Sequence, residues 1–265
     1  MFNGGALSKS SLTLMAALGT SRTANVRGRE VDKFPGCITM LLSITTKDRA
    51  SMTGHNEIIR GDGEVSLDGK TNAEAYDALA ENYDDQLAGW GYEAPEQAAR
   101  FLAKYLPVFD AAEILDCGCG TGMTGEALRA AGAGGTITGL DMSEASLKVA
   151  GAKKVYDKLG AADLNQPLAL GHNSVDGVLC VGVLSYVREE PLLREWKRVI
   201  RPGGVAVFTS RDDFFESRNF ADMLARLEAE GGWSNEHVSS PMPYLVDHPE
   251  FAKDIQVIYA ACRIE

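Results

Sequence analysis

Glu113-Ile-Leu-Asp-Cys-Gly-Cys-Gly-Thr-Gly-Met-Thr-Gly125 is the stretch on which the fold turns. A short apolar strand delivers Asp116, and glycines at 118, 120 and 122 then let the backbone turn tightly before a helix begins. A Cβ at such positions would block positive-φ turns and hold a ligand away from the backbone. Strand, glycine-rich loop and helix together open a nucleotide-binding Rossmann-like unit. Asp116 is the unusual member, because a carboxylate at the strand end repels a pyrophosphate and attracts a cation.

S-adenosylmethionine carries an ammonium and a sulfonium and no phosphate. The loop Asp116, Cys117, Gly118, Cys119, Gly120, Thr121 and Gly122 therefore reads as an S-adenosylmethionine site. A competing reading exists, since Gly120-x-Gly122-x-x-Gly125, with Asp141 downstream, also fits the dinucleotide fingerprint of an NAD(P)-dependent oxidoreductase. In dinucleotide enzymes the first glycine usually follows the apolar strand directly. Here Gly120 lies four residues beyond Asp116, and the acid sits where phosphate would approach.

The composition narrows the partners. The 265 residues are 45% hydrophobic, enough for one core with an extension. No apolar run approaches the roughly 18–20 residues of a membrane span. The net charge is −11, with residues 1–60 at +4 (eight Lys/Arg against four Asp/Glu) and the other 205 at −15. An acidic body without a basic patch argues against nucleic acid and for a small molecule. None of the five cysteines shows paired C-x-x-C spacing, and Cys117 and Cys119 straddle Gly118 too closely for an ordinary disulfide. Reduced thiols point to a cytoplasmic setting. No metal is expected, because no His/Cys/Asp set has ligand spacing. His172 and His237 stand alone in turn-rich contexts and read as solvated.

Along the chain, residues 1–65 read as a poorly structured leader, 66–111 as N-terminal lid helices and 112–265 as the cofactor-binding core. The leader has no acid before Glu30 and carries Arg22, Arg27 and Arg29, the composition of a transit peptide. Mitochondrion or plastid is thus the alternative address. Ala75, Tyr76, Leu79, Ala80 and Tyr83 recur at helical spacing, and a second helix opens at Pro95. Strands are predicted at 112–117, 136–141, 159–163, 176–182, 204–210 and 255–264, and helices at 122–131, 143–157, 189–200 and 214–230. Alternation of this kind predicts an α/β fold with a parallel sheet covered on both faces.

Further acids and soft side chains fall at the predicted strand ends. Asp141 can take two hydrogen bonds from ribose hydroxyls, with Ser143 left to cap the following helix. Met142 would form an apolar wall against adenine. Asp163 can accept from the adenine amino group while the Leu164 N–H meets a ring nitrogen. Cys180 to Val183 end the fourth strand and should face the site, whereas Asp176 at its start should be structural.

In order and spacing, Leu115-Asp-Cys-Gly-Cys-Gly-Thr-Gly122, Leu140-Asp-Met142, Ala162-Asp-Leu164 and Arg201-Pro-Gly-Gly204 resemble the class I S-adenosylmethionine-dependent methyltransferases over about 110–210. More narrowly, Trp90-Gly-Tyr-Glu-Ala-Pro95, Ala162-Asp-Leu-Asn-Gln-Pro167 and Gly182-Val-Leu-Ser-Tyr-Val187 are similar to the methyltransferase-like proteins of the Williams–Beuren chromosomal region. The resemblance implies a Rossmann-like, doubly wound, mostly parallel seven-stranded sheet with an N-terminal helical lid. Ala75-Tyr-Asp-Ala-Leu-Ala-Glu-Asn-Tyr-Asp84 matches the family's lid helix, which puts Tyr83 at the cofactor.

The resemblance also implies methyl transfer by displacement at the sulfonium, a step that asks for positioning more than for covalent help. No Asn-Pro-Pro-Tyr-type motif follows the fourth strand, which leaves a small, partly apolar acceptor. Tyr186, the run Arg211-Asp-Asp213, and Tyr76, Tyr83 and Trp90 are candidates to touch it. No catalytic base can be assigned. A non-catalytic cofactor-binding partner protein is the alternative function.

Overall fold

The computed structural model describes residues 72–249 and 251–265; the expected leader and the start of the lid segment lie outside them. Its centre is a sheet of β1 (Ile114–Cys117), β2 (Ile137–Asp141), β3 (Lys158–Ala161), β4 (Val175–Cys180), β5 (Ile200–Arg211), β6 (Ser234–Val238) and β8 (Gln256–Arg263). The strand order is β3-β2-β1-β4-β5-β8-β6. β1 to β5 run parallel, and β8 lies antiparallel between β5 and β6. An eighth, two-residue strand, β7 (Met242–Pro243), pairs with β8 off this path.

Alternate residues of a strand point to opposite faces, and here both faces are apolar. Leu115, Val178 and Phe208 meet Trp196 of α6 (Glu189–Val199) and Leu224 of α8 (Phe220–Ala229). Ile114, Leu179 and Val207 meet Leu102 of α3 (Ala94–Tyr105) and Leu128 of α4 (Met123–Ala130). The same alternation sends Asp116 to the α3/α4 face and Cys117 and Cys180 to the other.

Several predicted elements are divided or shortened. The first helix is two, α1 (Asn72–Leu79) and α2 (Tyr83–Gly89), joined by a turn that the Asn82 N–H closes on the Leu79 carbonyl at 3.0 Å. A new N-terminus at Tyr83 puts Asp84 and Asp85 in a first turn, where the helix dipole favours them. Helix α5 (Glu144–Lys153) stops short of 157 because Lys154 is left-handed at φ 58°. Beyond it, Arg129 takes the Val155 carbonyl at 2.9 Å and Tyr156 turns inward, so tertiary contacts override local propensity. The predicted helix 214–230 is broken by Asn219 at φ 50° into α7 (Asp212–Ser217) and α8. Asparagine tolerates that conformation better than most residues.

β5 begins at Ile200, before the expected 204. Its register with β4 jumps from Val175↔Ile200 to Gly177↔Val205, leaving Arg201–Gly204 as a bulge. Arg201 there reaches Asp176 at 2.7 Å and Glu113 at 2.6 Å, so Asp176 is structural, as its position suggested. β6 and β7 carry no strong alternation and were not predicted.

Candidate functional site

The residues at the carboxyl ends of all five parallel strands line one cavity: Gly118–Thr121 after β1, Asp141 and Met142 at β2, Ala162–Asn165 after β3, Val181–Val183 after β4, and Arg211 closing β5. The order of the sheet reverses at β1, whose neighbours are β2 and β4. Ligands of open α/β sheets lie at such a switch point.

The β1–β3 half is shaped by the glycine loop. Gly118, Gly120 and Gly122 have φ of 75°, 51° and 98°, so each uses the conformation that glycine enters without strain. A Cβ on Gly118 would lie 2.2 Å from Val183 Cγ2, whereas one on Gly120 would meet no protein atom within 4 Å. Gly120 therefore presents bare backbone to open space. Gly125, the last glycine of the dinucleotide fingerprint, has a packing reason instead: its Cβ would come within 2.4 Å of the Tyr156 ring.

Asp141 organises this half. Its Oδ2 accepts from the Gly120 N–H at 2.9 Å and its Oδ1 from the Ser143 N–H at 2.8 Å. Burial pushes its pKa up, and the backbone bonds oppose that shift. A carboxylate has about four acceptor positions, so room remains for ligand hydroxyls. Ser143 caps α5 by accepting from Ser146 N–H at 3.0 Å. Cys119 and Thr121 are buried loop residues on the wall, Leu164 is buried beside them, and Met142 and Asp163 lie exposed at the rim.

Four residues predicted for this site do not line it. Asp116, Cys117 and Cys180 are fully buried within the sheet. Asp116 accepts from Thr124 Oγ1 and, at 2.7 Å, from Tyr156 Oη, and burial pushes its carboxyl up to about 6. It braces the loop from behind. Cys117 and Cys180 pack into the α6/α8 core, where burial raises both thiols. Gly122 turns its Cα toward α5, where a Cβ would sit 3.2 Å from Ala150. Sequence position placed Asp116, Cys117 and Cys180 at the strand ends, but strand alternation turns their side chains inward, whereas Gly122 lies in the loop and is set against α5 by the helix start that it caps.

The β4–β5 half is aromatic. Tyr76, Tyr83, Tyr92, Tyr186 and Tyr244 line it with Leu87 and Leu245. Tyr76 meets Tyr83 and Tyr186 edge-on at 5.8 and 5.9 Å, and Tyr92 meets Tyr244 at 5.3 Å. Burial raises the pKa of each of these hydroxyls, that of Tyr186 up to about 12, so all five stay protonated near neutrality. Of the expected acceptor contacts, Tyr76, Tyr83, Tyr186 and Arg211 line the cavity. Trp90 instead packs on His248 at 4.4 Å, and Asp212 accepts from the Gln256 N–H at 3.0 Å. Tyr92 and Tyr244 were missed, the latter because the 242–245 segment reaches the cavity through pairing that no local pattern announces.

Helices α1 and α2 are tied by acids to the loops that follow β1 and β2 and to α5. Asp84 accepts from Thr121 Oγ1 and pairs with Lys153 at 2.6 Å, while Lys153 also meets Glu126 at 2.6 Å. Asp77 accepts from Ser143 Oγ at 2.5 Å and from the Ala145 N–H at 3.2 Å. Among the described residues no cluster of His, Cys, Asp and Glu has the geometry to hold a metal ion, and no helix is long and apolar enough to cross a membrane.

Residues 115–208 match a family described as a methyltransferase domain. Methyltransferase-like protein 27 of Homo sapiens is 34% identical over 163 residues, 60% of this chain and 66% of that protein. The ubiquinone biosynthesis O-methyltransferase of Pseudomonas syringae pv. tomato is 34% identical over 106 residues, 37% of this chain and 44% of that protein. The chain thus spans just under two thirds of the first relative and less than half of the second. Among solved structures, geranyl diphosphate methyltransferase in complex with S-adenosylmethionine shares the fold with a TM-score of 0.52 at 15% identity, covering 64% of this chain and 85% of that one.

Proposed function

Because the chain carries a class I S-adenosylmethionine-dependent methyltransferase domain, we propose that it transfers the methyl group of S-adenosylmethionine to a small, partly apolar acceptor. The observation that carries this reading is the division of one cavity into two chemistries. The β1–β3 half offers Asp141, Asp163 and bare glycine backbone, and none of its described lining residues is basic. That set fits a cofactor with hydroxyls and positive charge and gives a pyrophosphate nothing to pair with. The β4–β5 half offers tyrosine rings and leucines, which fit a flat apolar body.

When bound, S-adenosylmethionine supplies an electrophilic methyl on a sulfonium. Asp141 would orient the ribose, with Gly120 and Ser143 holding the carboxylate in place. Met142 and Leu164 would flank the adenine, and Asp163 would meet its amino edge. Tyr83, on a lid tied down by Asp84, would close the cavity over the methionine end and exclude water. Alignment of the acceptor between the tyrosines then supplies most of the rate, as expected for a displacement that needs a near-attack geometry.

Calorimetric titration of the full chain with S-adenosylmethionine, S-adenosylhomocysteine and NADH tests the cofactor half. Binding of the first two with no response to NADH supports the reading, and the reverse order would overturn it. Incubation of cell extract with methyl-labelled S-adenosylmethionine tests turnover, and label that never exceeds a heat-killed control would favour a binding protein without chemistry.

A further inference from the structure

Gly125 in the first turn of α4 and Gly139 in the middle of β2 stand where glycine weakens an element. The ring of Tyr156, on the link between α5 and β3, bears on both. A Cβ on Gly125 would lie 2.4 Å from its Cζ, and one on Gly139 would lie 3.0 Å from its Cδ1. The ring thus fills the seam between α4 and β2, and its hydroxyl reaches the two ends of the glycine loop. Tyr156 Oη donates to Asp116 Oδ2 at 2.7 Å and accepts from the Gly125 N–H at 2.9 Å. Thr124 Oγ1 donates to the same Oδ2 and lies 3.4 Å from Tyr156 Oη. The first N–H groups of a helix have no partner within it, and Gly122, the cap residue of α4, offers no side chain to serve them. Tyr156 serves Gly125 from outside the helix.

Tyr156 is itself aimed by its neighbours. Arg129 of α4 donates Nε to the Val155 carbonyl at 2.9 Å and Nη2 to Asp157 at 2.7 Å, one residue to either side. Asp157 Oδ2 also accepts from the Ile137 N–H at 2.8 Å, and the Asp157 N–H donates to the Ile137 carbonyl at 2.9 Å. The segment that carries the phenol is therefore pinned to the same helix and strand that the ring separates. Burial raises the phenol, so its proton stays in place near neutrality. Burial also pushes Asp116 up to about 6, the hydroxyls of Thr124 and Tyr156 oppose that rise, and Asp141 adds to it. The neighbouring thiols of Cys117, Cys119 and Cys180 are raised by burial and stay neutral.

Resting on the methyl-transfer reading, we infer that Tyr156 is the positioning residue of the cofactor loop. By joining Asp116 to Gly125 it fixes the span across which the glycines arch. That span in turn sets the Gly120 N–H, which donates to Asp141 at 2.9 Å on the cavity side. Tyr156 does not line the cavity, so it acts through the loop and touches no ligand.

The test uses the full chain, with S-adenosylhomocysteine as the ligand. Tyr156→Phe keeps the ring between Gly125 and Gly139 and removes only the hydroxyl. It should weaken S-adenosylhomocysteine by about tenfold in calorimetry. Two readouts need no ligand. Amide hydrogen exchange of residues 118–125 should accelerate relative to Leu128 in the same helix. In urea unfolding, wild-type stability falls as pH rises from 3.8 to about 6, the window set by Asp116. Loss of a donor to the carboxylate disfavours its charged form, so the upper end of that fall should move up by roughly one pH unit in the variant. A tyrosine that only filled space would be replaced by phenylalanine without loss. Unchanged affinity and exchange would therefore overturn the inference, and so would a weakened affinity with an unmoved pH profile, since the effect would not then pass through Asp116. Failure of S-adenosylhomocysteine to bind the wild type would count against the methyl-transfer reading, while loop exchange and the pH profile would still decide the role of Tyr156.

Discussion

Replacing Asp116 by asparagine isolates what it costs to hold a carboxylate inside the sheet. The residue is fully buried, Oδ2 accepts from Thr124 and Tyr156, and Oδ1 has no hydrogen-bond partner among the described residues. Burial pushes its pKa from 3.8 up to about 6. A difference of about two units corresponds to ~3 kcal/mol. The sign follows from the protons. Between pH 3.8 and about 6 the folded state keeps its proton while the unfolded state has released it. Asp116 therefore makes stability fall as pH rises through that window, with the full cost present above it. Asparagine has no such titration but leaves a buried amide N–H2 without a partner where Oδ1 lay, a cost of about 1–3 kcal/mol at every pH. The variant should thus be the less stable protein near pH 4 and should gain on the wild type by ~3 kcal/mol on the way to pH 7. Urea unfolding followed by tryptophan fluorescence at half-unit steps between pH 4 and 7 reads the difference. Two profiles that run parallel across the window would refute the account of Asp116 as a desolvated brace.

Other expectations follow from the same geometry. Gly118→Ala, whose methyl would meet Val183 Cγ2 at 2.2 Å, should cost upward of about 2 kcal/mol in thermal or urea stability. Gly120→Ala meets no protein atom within 4 Å, so it should cost only ~1 kcal/mol through its φ of 51° while sharply weakening S-adenosylhomocysteine in calorimetry. Asp141→Ala should weaken the same ligand by about 1–3 kcal/mol, and unchanged affinity in a folded variant would remove Asp141 from the site. Asp84→Ala releases Thr121 and Lys153 together, so hydrogen exchange of 83–89 should accelerate relative to 94–105. Equal rates in variant and wild type would mean that apolar packing alone holds the lid.

The parallel sheet and its glycine loop were legible because each rests on local chemistry: apolar strands, positive-φ glycines and acids at strand ends. Asp141 and Asp163 were expected at the cavity wall on that ground, where the structure puts them, since a carboxylate just past a strand has few local uses. Cys180 and Cys117 were misjudged by the same logic, because nearness to a strand end says nothing about which face a side chain takes. The division of the lid at Asn82 was hidden, since Tyr76 and Tyr83 keep helical spacing across it and still bring their rings to 5.8 Å. Lys154, left-handed without being glycine, ended one helix early where Arg129 and Tyr156 draw the chain into tertiary contacts, and Asn219, also left-handed, divided another. Tyr92 and Tyr244 come from segments joined by the Tyr92↔Leu245 bridge, a long-range pairing that no window of sequence contains.

The two halves of the cavity are unevenly spread along the chain. The matched segment 115–208 holds the glycine loop, Asp141 and Asp163, while Tyr76, Tyr83 and Tyr92 precede it and Arg211 and Tyr244 follow it. One contiguous block thus carries the glycine and carboxylate wall, and the flanks that clasp it from both sides supply four of the five tyrosines of the aromatic wall. Exchange of the flanks around an unchanged block would therefore remodel the aromatic wall while leaving the glycine loop, Asp141 and Asp163 as they are.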